Sequence, residues 1–131
     1  MNQLIVTIAV GHTDWAQKAL NLAFSVKANT PEQKTMLICE QATIKGLEPL
    51  IERYFDTHLI QFRHTETPEE FAFYLKTRLY ETVTKVEADC DSFIFLDADT
   101  IMAPAGSVQA WFDKHKGKPF TSYCNDILDL K

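Results

Sequence analysis

Short, almost wholly apolar runs alternate along this chain with longer stretches in which apolar residues recur every third or fourth position. The first pattern marks strands buried on both faces, the second amphipathic helices. Leu4 to Val10, rich in Ile and Val, reads as the first strand. A tight turn, Gly11-His12-Thr13, leads into a helix from residue 14 to about 28, with Thr13 as its cap and Asp14 in its first turn. Its stripe is Trp15, Ala19, Leu22, Ala23 and Val26, and Asn29-Thr30-Pro31 ends it. Thr35 to Cys39 is a second strand that stops at Glu40. Gly46 to Phe55 is a second helix with Leu47, Leu50, Ile51 and Tyr54 on one side. Pro49 fits its first turn, where a missing N–H does no harm. His58 to Phe62 is a third strand, followed by a polar loop from Arg63 to Thr67.

Thr67-Pro68-Glu69-Glu70 is the clearest local signal. Thr67 is the N-cap, Pro68 takes the first helical position and Glu70 completes a capping box. The spacing predicts one helix to about Val86, with Phe71, Leu75, Leu79, Val83 and Val86 inward and Lys76 and Arg78 flanking them. Phe73 and Tyr80 point away from that stripe, which is unusual for a solvated face. Phe93 to Leu96 is another unbroken apolar run, within the strand Ser92 to Leu96. Pro104 opens a further helix carrying Val108, Trp111 and Phe112 inward, and Phe120 to Tyr123 is a last candidate strand. Strands alternating with helices predict an α/β domain, a mostly parallel sheet with helices on both faces.

Asp97-Ala98-Asp99 ends the run at Leu96 abruptly. Two carboxylates at the end of a buried strand are costly unless something cationic meets them. Hard oxygen ligands suit Mg²⁺ or Mn²⁺, and in parallel sheets ligands bind at the carboxyl ends of the strands. The plainer alternative is that Asp97 caps the next turn and Asp99 is simply solvated.

Composition narrows the classes. The 131 residues suffice for one domain with a core. A net charge of -5, with no basic stripe, argues against a nucleic-acid surface. Three cysteines, Cys39, Cys90 and Cys124, without a C-x-x-C pair, read as reduced packing residues of a cytoplasmic-type protein. The apolar N-terminal run is too short for a membrane helix and lacks a signal peptide's basic start.

The turn from Gly11 to Trp15 is a place for a nucleotide to meet backbone N–H groups, although neither G-x-G-x-x-G nor a P-loop is present. Trp15 or His12 could lie against a base; taken alone, Trp15 reads as a core aromatic. Lys76 and Arg78 could neutralise a diphosphate, or could be ordinary solvated helix residues. His12, His58, His64 and His115 show no metal-ligand spacing.

These features together resemble the nucleotide-binding N-terminal half of an A-type glycosyltransferase domain, with its Rossmann-like fold. The first strand with G-H-T-D-W, the helix with Y-L-K-T-R-L-Y, and the strand ending F-L-D-A-D-T-I carry the resemblance. Residues 73 to about 112 are most similar to glycogenin-like and lipopolysaccharide glycosyltransferases. The resemblance implies a metal-dependent transferase using a nucleoside-diphosphate sugar, a UDP-sugar first among them. Asp99 would chelate Mn²⁺ or Mg²⁺ bridging the donor diphosphate, and Asp97 would lie near the ribose or the same metal. Lys76 or Arg78 would approach the donor sugar and phosphates. The turn of Gly11, His12, Thr13 and Trp15 would border the base, and Glu40 or the Arg63 loop would reach the nucleoside. Such domains continue well past the D-x-D, with an acceptor-binding half and often a later histidine ligand. Here only Ile101 to Lys131 remain. The expectation is therefore a single donor-binding domain over residues 1–131 that lacks its acceptor half or takes it from a partner, with Phe73 and Tyr80 as surface for that half or for a second protomer.

Two other classes compete. A haloacid-dehalogenase-type phosphatase also ends a strand in D-x-D, the first Asp attacking phosphorus. It wants Thr or Val two residues after the second Asp, where this chain has Ile101, and its motif opens the fold, whereas three strands precede it here. The other is a non-catalytic nucleotide- or metal-binding module, or a partner subunit.

Overall fold

The computed structural model describes residues 3–99, 112–114 and 116–117. The apolar runs form β1 (Gln3–Ala9), β2 (Lys34–Cys39), β3 (Thr57–Ile60) and β4 (Ser92–Phe95). They pair in parallel in the order β3-β2-β1-β4. β1 lies inside, with Leu4 opposite both Lys34 and Phe93. Between the strands run α1 (Thr13–Asn29), α2 (Glu48–Tyr54), α3 (Pro68–Thr77) and α4 (Leu79–Val86).

Strand alternation divides the core into two layers. Ile5 packs with Leu22 and Val26, and Ala9 with Ala16, Ala19 and Ile51, so one face of β1 carries α1 and α2. Leu4, Val6, Ile8 and Val10 pack with Phe71, Leu75 and Val83, so the other carries α3 and α4. Leu4, Val6 and Phe71 are each at most 1 % exposed, and burial at that level stabilises the fold by roughly 1.5–3 kcal/mol per large apolar side chain. The α/β class with helices on both faces is thus the observed one. Phe112, expected inward, is buried with Ile5 and Leu22.

Several local expectations change. His12, not Thr13, is the N-cap of α1, its Nδ1 accepting from the Asp14 N–H at 3.1 Å. β3 ends at Ile60 rather than Phe62, and Phe62 is exposed. α2 begins at Glu48, after a turn in which Gly46 has positive φ. β4, expected to be buried on both faces, is half-buried along its length, being an end strand of the described sheet. The helix expected to run unbroken to Val86 divides at Arg78, where φ/ψ is −117/19° and the N–H bonds to Leu75 O.

That break has a geometric cause. Pro68 lies against Gly11, and Lys76 meets Asp97, so α3 follows the carboxyl rim of the sheet. Glu87, just past α4, accepts from Thr57 Oγ1 at the amino end of β3. A straight helix cannot both follow the rim and reach the opposite end of the sheet. Val86, placed inward by the uninterrupted period, is 38 % exposed at the end of α4, while Phe73 and Tyr80 are exposed as expected. Of the helix expected from Pro104, residues 112–114 are described and are helical, while residues 104–111, the strand from Phe120 to Tyr123 and Cys124 lie outside the described residues.

Candidate functional site

The strand order reverses between β1 and β4: the chain moves outward from β1 to β3, then returns to β1's other side. At such a switch point the connections diverge and leave a crevice at the carboxyl ends. A cleft of about 330 Å³ opens there, lined by Val10 past β1, Trp15 of α1, Glu69 and Lys76 of α3, and Asp97 and Asp99 past β4. Pro68, Ala72 and Lys76, at helical spacing, present one side of α3 to it. Between the two aspartates, Ala98 is 3 % exposed and packs into the core on the α1 side. That small anchor holds the strand end while both carboxylates stay in solvent.

Lys76 Nζ lies 3.4 Å from Asp97 Oδ1 and 5.6 Å from the centre of the Phe95 ring. Asp99 has no side-chain partner among the described residues. Trp15, read from the pattern as a core aromatic, is instead 40 % exposed at the cleft wall, with Lys18 Nζ 4.4 Å from the centre of its ring. Its position in the first turn of α1, beside the rim, lifts it out of the layer that buries Ala16 and Ala19.

Beside the cleft stands a second acidic group with different surroundings. Glu40, immediately after β2, is only 9 % exposed. Arg63 grips it with two bonds, Nε to Oε2 at 2.8 Å and Nη2 to Oε1 at 2.9 Å. The Gly11 N–H donates to Oε1 at 2.8 Å. The Arg63 bonds hold this carboxyl below the usual glutamate range; burial pushes the other way, and the Gly11 N–H adds to the lowering. Gly11 has φ +100°, and a Cβ there would stand 2.8 Å from Pro68 Cβ. Glycine is therefore required where the β1–α1 turn touches the start of α3. Through these contacts Glu40 ties three connections of the rim together. Glu40 or the Arg63 loop was expected to reach a nucleoside; in the protein the Glu40 oxygens accept from Arg63 and Gly11. Burial, then the neighbouring Glu40 charge, pushes the adjacent Cys39 thiol up to about 12, so it is an inert packing residue.

The expected site residues therefore separate. Asp97, Asp99, Lys76 and Trp15 share the cleft. Gly11 borders it through Pro68, and Thr13 begins α1 nearby, while the His12 side chain is 73 % exposed and turned to Asp14. Arg78 is elsewhere: beyond the α3 break it lies 3.6 Å from Glu81 and over the Tyr74 ring, lining a smaller hollow. Glu69 and Ala72 entered no expectation, although the capping box that starts α3 and the parallel sheet together place that helix start at the ligand-binding end.

Among the described residues no three His, Cys, Asp or Glu side chains are grouped to hold a metal. Two carboxylates do not form an all-protein cage. They do fit Mg²⁺ or Mn²⁺ of the kind that keeps waters and shares its remaining ligands with substrate phosphates. None of the described helices is long and apolar enough to cross a membrane.

No family model matches the sequence, and no curated protein does. Among solved structures, it is similar to one described as PaToxG glycosyltransferase, at 16 % identity and a TM-score of 0.46. The match covers 82 % of this chain and 45 % of that one, so the chain spans less than half of the solved structure's length. A likeness at that level leaves the chemistry to be argued from the cleft itself.

Proposed function

We propose that this domain binds the diphosphate of a nucleotide sugar at the β1–β4 cleft, as the donor half of a metal-dependent glycosyltransferase. One observation carries this: a pair of exposed carboxylates, a lysine and a part-exposed tryptophan line a single crevice at the switch point of a parallel sheet. Asp97 and Asp99 would hold Mn²⁺ or Mg²⁺ jointly with the two phosphates. Such a metal, when bound, supplies Lewis-acid stabilisation of charge on the departing diphosphate. Lys76 contributes a second positive charge from the α3 side. Trp15 offers ring surface to the base, and uridine is the base expected first. Glu40, held by Arg63, braces the Gly11 turn beside this site. The acceptor would be bound by a further region of chain or by a partner.

Calorimetry with UDP, GDP and their sugars, with and without Mn²⁺, tests this. A nucleoside diphosphate should bind at least about tenfold more tightly with the metal, a gain of roughly 1.4 kcal/mol. No metal-dependent nucleotide binding would overturn the proposal. Trapping of a phosphate analogue at Asp97 would move the assignment to a phosphatase. Binding of the donor without transfer, in the presence of acceptors, would move it to a non-catalytic module.

A further inference from the structure

At the cleft, one of the two aspartates has a cation supplied by the protein itself. Lys76 Nζ is 3.4 Å from Asp97 Oδ1, whereas Asp99 has no side-chain partner among the described residues. The Lys76 and Asp97 side chains are 45 % and 62 % exposed, and an ion pair that wet opens readily. The Phe95 ring, 5.6 Å from the ammonium, supplies an apolar, electron-rich face that keeps it at the cleft after the pair opens. Lysine suits such a double duty, being a compact charge on a flexible stem with donors that reorient easily.

We propose that Lys76 is a built-in counter-ion that makes metal and nucleotide binding interdependent. It pairs with Asp97 while the cleft is empty and turns to the donor phosphates when a divalent metal takes the carboxylate. This rests on the donor-site proposal above. A metal arriving alone must displace the ammonium or sit beside it, and like charges at this range repel. A diphosphate removes that conflict, since its oxygens can ligate the metal and accept from the ammonium together. Metal and nucleotide then each raise the other's affinity by the same factor, as linkage requires.

The experiment is a set of titrations on the full chain: Mn²⁺ alone, UDP alone, and UDP in saturating Mn²⁺, for wild type, Lys76→Met and Lys76→Arg. Melting curves check that each variant folds, which the half-exposed position favours. Lys76→Met should bind Mn²⁺ alone about three- to tenfold more tightly, having lost a nearby positive charge. It should bind UDP in Mn²⁺ about tenfold more weakly and UDP alone with a smaller loss, so that the mutual enhancement shrinks by the ratio of those two losses. Lys76→Arg should keep most of that enhancement. Mn²⁺-dependent UDP binding in wild type, with the same enhancement in Lys76→Met, overturns this inference and leaves the donor site standing. No Mn²⁺-dependent UDP binding in wild type removes both.

Discussion

Glu40 and Asp97 stand at corresponding places, each just past the carboxyl end of a parallel strand, yet they have opposite fates. Glu40 is nearly buried and holds three hydrogen bonds from Arg63 and Gly11. Asp97 is largely exposed and has one loose contact with Lys76, and Asp99 beside it has no described side-chain partner. Both lie at the end where a parallel sheet presents its ligand sites. The difference lies in who supplies the positive charge. The protein supplies it at Glu40, through a rigid fork that fills both carboxylate oxygens. At Asp97 and Asp99 it supplies only part, which leaves capacity for a ligand. A saturated carboxylate shapes a site; an unsaturated pair can work in one.

The sharpest break in this comparison comes from the saturated side. Gly11→Ala should destabilise the fold by about 2–4 kcal/mol, because the new Cβ meets Pro68 and the backbone is left-handed there. Chemical denaturation measures this; an unchanged midpoint would show that the turn and α3 do not press together. Next comes Asp99→Ala on the open side. Metal-dependent nucleotide binding should fall at least about a hundredfold, roughly 2.7 kcal/mol, while the melting temperature hardly moves, since an exposed carboxylate with no side-chain partner among the described residues is removed. Normal binding would place the metal elsewhere, and a large loss of stability would make Asp99 a second Glu40.

Glu40→Gln should cost about 1–3 kcal/mol, because the Gly11 N–H and the Arg63 fork lose their anion. The sign with pH follows from the lowered pKa. Glu40 is ionised in the fold below its ordinary value of 4.5, so its contribution is fully present above that value. It is lost as pH falls through the lower folded value. The stability gap between wild type and Glu40→Gln should therefore hold through neutral pH and close in acid, as read from denaturation curves at several pH values. Asp56 works in the same direction: burial raises its pKa, but the Lys27 bond at 2.7 Å and the Thr35 N–H outweigh it and leave the carboxyl lowered. That second contribution should persist in Glu40→Gln and be lost as pH falls through the lowered Asp56 value. The smallest effect belongs to Arg78→Ala, within about 0.5 kcal/mol in stability and without change in nucleotide affinity, since Arg78 faces the other hollow. Weakened UDP binding in that variant would show that the α3 break closes when ligand enters.

Much of this contrast was legible in the chain, but not all of it. The strand ending in Asp97 and Asp99, the capping box at Thr67 and the basic Lys76 are local signals, and the structure puts the acidic pair and Lys76 in one cleft. The pattern alone counted Trp15 in the inward stripe, because helical spacing reports which face a residue shares, not how near the helix end lies to the rim; the resemblance had set it at the base-bordering turn. Lys76 and Arg78 were both candidates for the diphosphate, but residues two apart on a helix face different ways, and the two line different hollows.

The order of apolar runs and stripes determined on its own that this is a layered α/β domain, because strand and helix periods are written in neighbouring residues. It also determined where a pair of carboxylates would emerge at a strand end. Only the tertiary structure decided the order β3-β2-β1-β4, and with it which strand ends face one another across the cleft. It likewise decided that Glu40 is the carboxylate already filled. Its partners Gly11 and Arg63 lie 29 and 23 residues away, and charge satisfaction over such separations depends on how the elements stack.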